Sequence, residues 1–150
     1  MKFKIFGFTT DDVTFSFIDF YTVGHFIFGF ITCLILYLII GLLFNYPDPY
    51  GLCITISINV GLFWEFLENF YLHKKGFKFD DRRDSFANSL TDVLFVNIGA
   101  IVCGIVCTLE PMEVFAVSVL ILMVALILYE FLRRVTFSKR NNYGKNVEKV

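Results

Sequence analysis

Positive charge is missing from most of this chain. Of its 150 residues, 13 are Lys or Arg. None of them falls between Lys4 and Lys74 or between Arg83 and Arg133. Proline is confined to Pro47, Pro49 and Pro111. There is no glycine-rich phosphate loop, nucleophile elbow or haem-attachment sequence, so no motif for a soluble cofactor is present. Cys33, Cys53, Cys103 and Cys107 lack paired spacing across a loop, which argues against a zinc signature. All of them lie within apolar runs and read as small packing residues. Cys53 and Cys107, near the same ends of their runs, are the pair whose depth permits a bridge. A net charge of −1 distinguishes nothing.

The cation-free stretches are long and apolar. A helix needs about 20 apolar residues to cross a hydrocarbon layer, and the runs at 20–44, 51–72, 85–109 and 112–131 each meet that length. The fold expected is all-α: a polytopic membrane protein with a four-transmembrane-helix antiparallel bundle. Short connections make sequential helices neighbours in a single domain. Pro111 suits the first turn of the last helix, where its missing N–H costs nothing. Lys and Arg gather at the N-terminus, between the second and third runs, and after Phe131. Cytoplasmic flanks carry such an excess, so both termini are expected inside a cell membrane.

Residues 1–18 carry Asp11 and Asp12 and no uninterrupted apolar core, so they are expected to remain attached as an interfacial segment. Alternation of Val13, Phe15 and Phe17 favours an extended form, while Thr10 and the aspartates favour a helix start. The tail at 136–150 is polar and cationic, expected to be mobile and to touch anionic lipid rather than nucleic acid. Tyr46 and Tyr50 at one end, with Tyr21, Trp64, Tyr71 and Tyr129 at the other, suit two aromatic belts.

Ionisable side chains inside the spans carry the information, because each costs several kcal/mol unless partnered or wetted. The first run holds His25, the second Glu65, Glu68 and Asn69, the third Asn88, Asp92 and Asn97. At a rise of about 1.5 Å per residue, His25, Glu65 and Asp92 all lie roughly 10 Å from the cation-rich end. With about 100° per residue, Ser57, Gly61, Glu65 and Glu68 share one stripe, and Ser85, Asn88, Ser89, Asp92, Gly99 and Cys103 another. Thr22, His25, Gly29, Thr32 and Cys33 cluster likewise. Small residues beside polar ones let helices approach closely. A polar pocket among the first three helices, opening to the cytoplasmic leaflet, follows. The last run has no ionisable residue between Glu113 and Glu130 and reads as a wall. Asn59 and Asn97 point away from the stripes, towards a neighbouring helix or a second protomer of a homo-oligomer.

His25, Glu65 and Asp92 are the candidate catalytic residues, and with Glu68 they form a candidate ligand set for a divalent metal. Oxygen and imidazole donors suit Mg, Mn or Zn. Arg82 and Arg83 would hold an anionic lipid head group at the entrance. Asp19, Asn69, Ser85 and Asn88 are supporting polar residues. A proton or cation pathway is the alternative, opposed by the apolar far half of every span. A non-catalytic envelope interaction protein is a further class. The blandest account of His25, Glu65 and Asp92 is an ionic network that fixes helix register.

Three segments, "DFYTVGHFIFGF" from Asp19, "FWEFLE" from Phe63 and "DSFANSLTDVLFVNIGAIVCG" from Asp84, together resemble YjdF-like small membrane proteins and, more loosely, the VanZ-like group. The resemblance points to Asp19, Gly24, His25, Gly29, Glu65, Glu68, Asn88, Asp92 and Gly99. It implies a cell-envelope context and supplies no reaction. Where those relatives carry acids before the final Asp, this chain has Ser85 and Asn88. "EFLENF" and "RRDSFANS" faintly resemble small lipid kinases, although the glutamate spacing is shorter than that type needs.

Overall fold

The structure is a computed structural model that describes residues 4–13, 15–76 and 83–147. Its helices follow the apolar runs. Helix α1 spans Phe20–Leu36 and continues as a π-helix over Tyr37–Leu43. Helix α2 spans Pro49–Phe66, widens into a π-helix over Leu67–Leu72 and closes with a 3₁₀ turn at His73–Lys75. Helix α3 spans Phe86–Val106 and α4 Pro111–Val147. The described residues contain no β-strand. Among the described residues, four helical stretches, Phe20–Leu43, Pro49–Lys75, Phe86–Val106 and Pro111–Ser138, are long and apolar enough to cross a membrane.

Local chemistry fixes the helix starts. Asp19 accepts from the Tyr21 and Thr22 amides while Thr22 Oγ1 accepts from the Asp19 amide, a reciprocal capping box. Ser85 caps α3 by accepting from the Asn88 amide at 3.2 Å. Pro49 lies in the first turn of α2 and Pro111 opens α4, where a missing N–H breaks no ladder bond. Gly76, at φ 70°, ends α2 in the left-handed region that a Cβ disfavours.

Helix α1 lies at the centre and packs most extensively on α3. Their crossing is reciprocal: a Cβ on Gly29 would overlap the Val96 carbonyl, and one on Gly99 the Phe26 carbonyl. Backbones meet there with no side chain between them. Beyond this waist, Phe30, Cys33, Cys53, Ala100, Cys103 and Cys107 form the apolar core. All four cysteines are free, so the Cys53–Cys107 bridge is not formed. Cys107 Sγ instead lies 3.8 Å from Cys103 Sγ, one turn away on the same stretch of chain.

Large apolar side chains face outward, with Ile105 64 %, Leu120 61 % and Ile127 67 % exposed. Such a surface is stable against lipid and not against water. The molecule is a polytopic helical membrane protein.

Among its described residues the N-terminal segment is neither a helix nor a strand. Turns at Thr9–Val13 fold it back, so that the Gly7 amide donates to Ile18 O at 2.8 Å and the Ile18 amide to Ile5 O at 2.9 Å. Helix α4 continues past Phe131 to Val147, where the sequence pattern led us to expect a mobile tail from 136. No proline interrupts it. Just before, Glu130 receives Arg133 and Arg134 at 2.8 Å each, pairs that support a helical turn.

Candidate functional site

The helix periodicity that aligns Ser57, Gly61 and Glu65 on α2 also buries all of them against α1 and α3. On α3 the same face carries Asn88, Asp92, Val96 and Gly99, and on α1 it carries Thr22, His25 and Gly29. Three helices therefore converge on one imidazole. His25 Nε2 lies 3.3 Å from Glu65 Oε1 and 3.9 Å from Glu68 Oε2, and His25 Nδ1 lies 3.4 Å from Asp92 Oδ1. His25 is 8 % exposed, Glu65 6 % and Asp92 2 %, so water does little to screen their charges.

Both carboxylates of the trio have support from a neighbour. Thr22 Oγ1 donates to Asp92 Oδ1 at 2.9 Å, which links the α1 cap directly to the cluster. Asn69 Nδ2 reaches Glu65 Oε2 at 3.1 Å, the Glu65 carbonyl at 3.3 Å and Ser89 Oγ at 3.2 Å. Asn69 Oδ1 accepts from the Asp84 amide at 3.2 Å. One amide thus ties α2 to the start of α3. The π-helix beginning at Leu67 makes this geometry, since a wider turn changes which side chains share a face. Trp64 Nε1 donates to Glu68 Oε2 at 3.1 Å.

Among the described residues, cavities flank the cluster on two sides. One of about 410 Å³, between α2 and the start of α3, is lined by Glu65, Asn69, Ser89, Arg83 and Asp84. The other, about 400 Å³, lies among α1, α2 and α4 and is lined by His25, Glu68 and several aromatic rings.

Of the residues singled out from the sequence, His25, Glu65 and Asp92 come together, each offering a donor atom within 4.8 Å of the others. Glu68 stands at the edge, shared between Trp64 and His25. Asp19 and Ser85 act through caps and Asn69 through its bridge, whereas Asn88 is buried with Nδ2 unpartnered among the described residues. Arg83 is exposed on the cavity wall and Arg82 lies outside the described residues. Asn59 donates to the Thr55 carbonyl of its own helix rather than to a neighbour. Sequence reasoning underrated Thr22, Ser89 and Trp64. The signal was available in Thr22, three residues after a capping Asp, and in Trp64, one helical turn before Glu68.

The spans and the buried histidine–carboxylate cluster define a multi-pass membrane protein with an ionisable centre inside its helices. The chain belongs to the DUF2585 family of proteins of unknown function, whose family model matches residues 4–137. No curated protein and no solved structure matches it.

Proposed function

We propose that His25, Glu65 and Asp92 bind a divalent cation at the centre of a membrane-embedded enzyme acting on a phosphate-bearing lipid head group. The convergence of three buried donor atoms within 4.8 Å, one from each of three helices, carries this reading. Two carboxylates around a neutral imidazole leave two negative charges in a low-dielectric interior, a costly state that a divalent cation neutralises. Three protein ligands are the number that catalytic metal sites use, the fourth position being left to water or substrate, whereas structural sites use four. The mixed nitrogen and oxygen set suits Zn or Mn, and Mg less well. A bound cation would polarise a phosphoryl oxygen or activate water.

The cavity that contains both Arg83 and Glu65 supports the head-group part of the reading, because an anion held by the guanidinium would lie beside the cluster. In the orientation we propose, the cation-rich end is cytoplasmic and the membrane is the cell membrane. Kinship with YjdF-like and VanZ-like proteins rests on the three motifs and would add an envelope setting. Elemental analysis of detergent-purified protein tests the proposal. Near-stoichiometric Zn or Mn, lost in a folded Glu65→Gln, Asp92→Asn variant, is expected. Wild-type protein that takes up neither metal after reloading sinks it.

A second reading has its own observation. The two imidazole nitrogens face different carboxylates, Glu65 at Nε2 and Asp92 at Nδ1, as a proton relay requires. Metal-free protein that moves protons across liposomes, and stops on His25→Gln, favours it over the metal site.

A further inference from the structure

Helix α2 has two opposite faces, and the His25 cluster uses one of them. Ser57, Gly61 and Glu65 are buried against α1 and α3. On the other side Leu52, Thr55, Asn59, Leu62 and Phe66 are all exposed. Their spacing alternates between three and four residues, the repeat of helices that pack side by side as left-handed pairs, in membranes as in water. Thr55 Oγ1 donates to the Gly51 carbonyl of its own helix at 2.8 Å, which leaves it at ease in lipid. Asn59 is different. Its Nδ2 donates to the Thr55 carbonyl at 2.8 Å, which uses one of two N–H groups. The second N–H and Oδ1 have no partner among the described residues. Ten residues past Pro49, at about 1.5 Å each, Asn59 lies about 15 Å into a hydrocarbon layer about 30 Å thick, at its midplane. Neither water nor any lipid group satisfies an amide there.

We propose that this chain forms a parallel two-fold homodimer through the 52–66 face of α2, registered by a pair of Asn59 carboxamides at the membrane midplane. Depth and chemistry select the occupant. The partner must present both a donor and an acceptor at the level of Asn59, and a second copy inserted in the same orientation does so with Asn59 itself. A two-fold axis along the membrane normal brings equal depths together, and each carboxamide then accepts on Oδ1 from the other's free N–H. The flanking Thr55 and Leu62 repeat across the same axis as part of the seam. In paired helices a single Asn in such a seam fixes register and a two-chain state. Glu65 lies on the opposite face, so each His25 cluster stays within its own protomer and the dimer stands apart from the metal reading.

Cross-linking of the full chain in membrane vesicles tests the contact, because the four natural thiols are buried and leave a low background. Leu62→Cys lies on the seam, whereas Val60→Cys is exposed on α2 away from it and Leu120→Cys is exposed on α4. Under copper phenanthroline, Leu62→Cys should give a disulfide-linked product of twice the chain mass and the other two should not. Sedimentation equilibrium of the purified protein in detergent supplies a second readout: a monomer–dimer equilibrium whose dissociation constant rises on the order of tenfold in Asn59→Leu. That variant loses only a bond within its own helix, so its protomer should melt as the wild type does. Equal cross-linking at all three positions is random collision, and none at Leu62→Cys shows the face uncovered; either overturns the proposal. So does a wild-type chain that stays monomeric, or a dissociation constant unchanged in Asn59→Leu. A Leu62→Cys adduct of another mass, with no product of twice the chain mass, assigns the face to a different membrane protein and overturns it as well. Metal content enters neither readout, so the dimer and the cation site fail separately.

Discussion

At the cation-rich end, helices α1, α2 and α3 meet through Thr22, His25, Glu65, Asn69 and Asp92. At the other end the same helices meet through Phe30, Cys33, Cys53, Ala100 and Cys103. The first half is joined by polar contacts between 2.9 and 3.4 Å, the hydrogen bond from Thr22 to Asp92 and the approach of His25 to Asp92 among them. The second is joined by van der Waals packing of small and apolar groups, which has little directional demand. Burying carboxylates lowers stability unless something compensates, so the polar half is poorly explained as an adhesive. The apolar half and the Gly29–Gly99 waist hold the helices together, and that excess lets the other end carry an ionisable cluster.

Breaking the waist has the largest expected effect, because it lies between the halves and serves both. Gly99→Ala forces a methyl group onto the Phe26 carbonyl, so the helices must separate. We expect a loss of about 3 kcal/mol, the upper end of the usual overpacking cost. Thermal unfolding in detergent measures it, and alkylation of the buried cysteines should accelerate in parallel with exchange of the Asp84 amide. If only one of those two probes responds, the halves are not mechanically joined at this crossing.

Removing charge from the polar half sharpens the comparison further, because two substitutions at one residue should move stability in different directions. Asp92→Ala leaves the Thr22 hydroxyl without its acceptor and removes the carboxylate 3.4 Å from His25 Nδ1, and should cost about 3 kcal/mol. Asp92→Asn keeps the shape and an acceptor oxygen while deleting a buried negative charge. Metal-free Asp92→Asn protein should unfold at or above the wild-type temperature, yet take up no metal. A clear loss of stability in that variant would return the cluster to a register-fixing network.

Asn69→Ala is expected to act more locally. It removes the donor to Glu65 and Ser89 and the acceptor of the Asp84 amide, at a cost of about 1–3 kcal/mol for the groups left unsatisfied. Hydrogen exchange at Asp84 should rise while cysteine alkylation stays slow. Equal acceleration of both would mean that the bridge supports the whole bundle.

Much of this architecture was legible in advance, for reasons that differ between residues. The spans follow from missing cations, since every unscreened charge in lipid is costly. The trio follows from rise and periodicity, because His25, Glu65 and Asp92 lie within regular α-helix, where both are constant. Glu68 and Asn69 fall in the π-helical turn, so a 100° wheel misjudges them, and the role of Asn69 as a bridge became visible only in three dimensions. The N-terminal segment defeated pattern reading because its bonds to Ile18 are made by backbone groups, which carry no side-chain signature. The cysteines were rightly read as packing residues, but which sulfurs touch depends on how α3 ends near Cys107.

The smallest effect expected lies in the apolar half, where it separates packing from chemistry. Cys103 is fully buried beyond the waist, with its sulfur 3.8 Å from that of Cys107. Cys103→Ala removes one sulfur-sized volume and no obligatory bond, which should cost about 1 kcal/mol, comparable to burying one methylene group. Melting temperature should fall slightly while metal uptake remains that of the wild type. Coupling between the ends would have to pass through the Gly29–Gly99 crossing, where the two backbones are already in contact. A methyl-sized void on the far side relaxes locally instead of shifting that crossing. If Cys103→Ala changed metal uptake, the cluster would depend on packing distant from it, and the two halves could no longer be treated as separate.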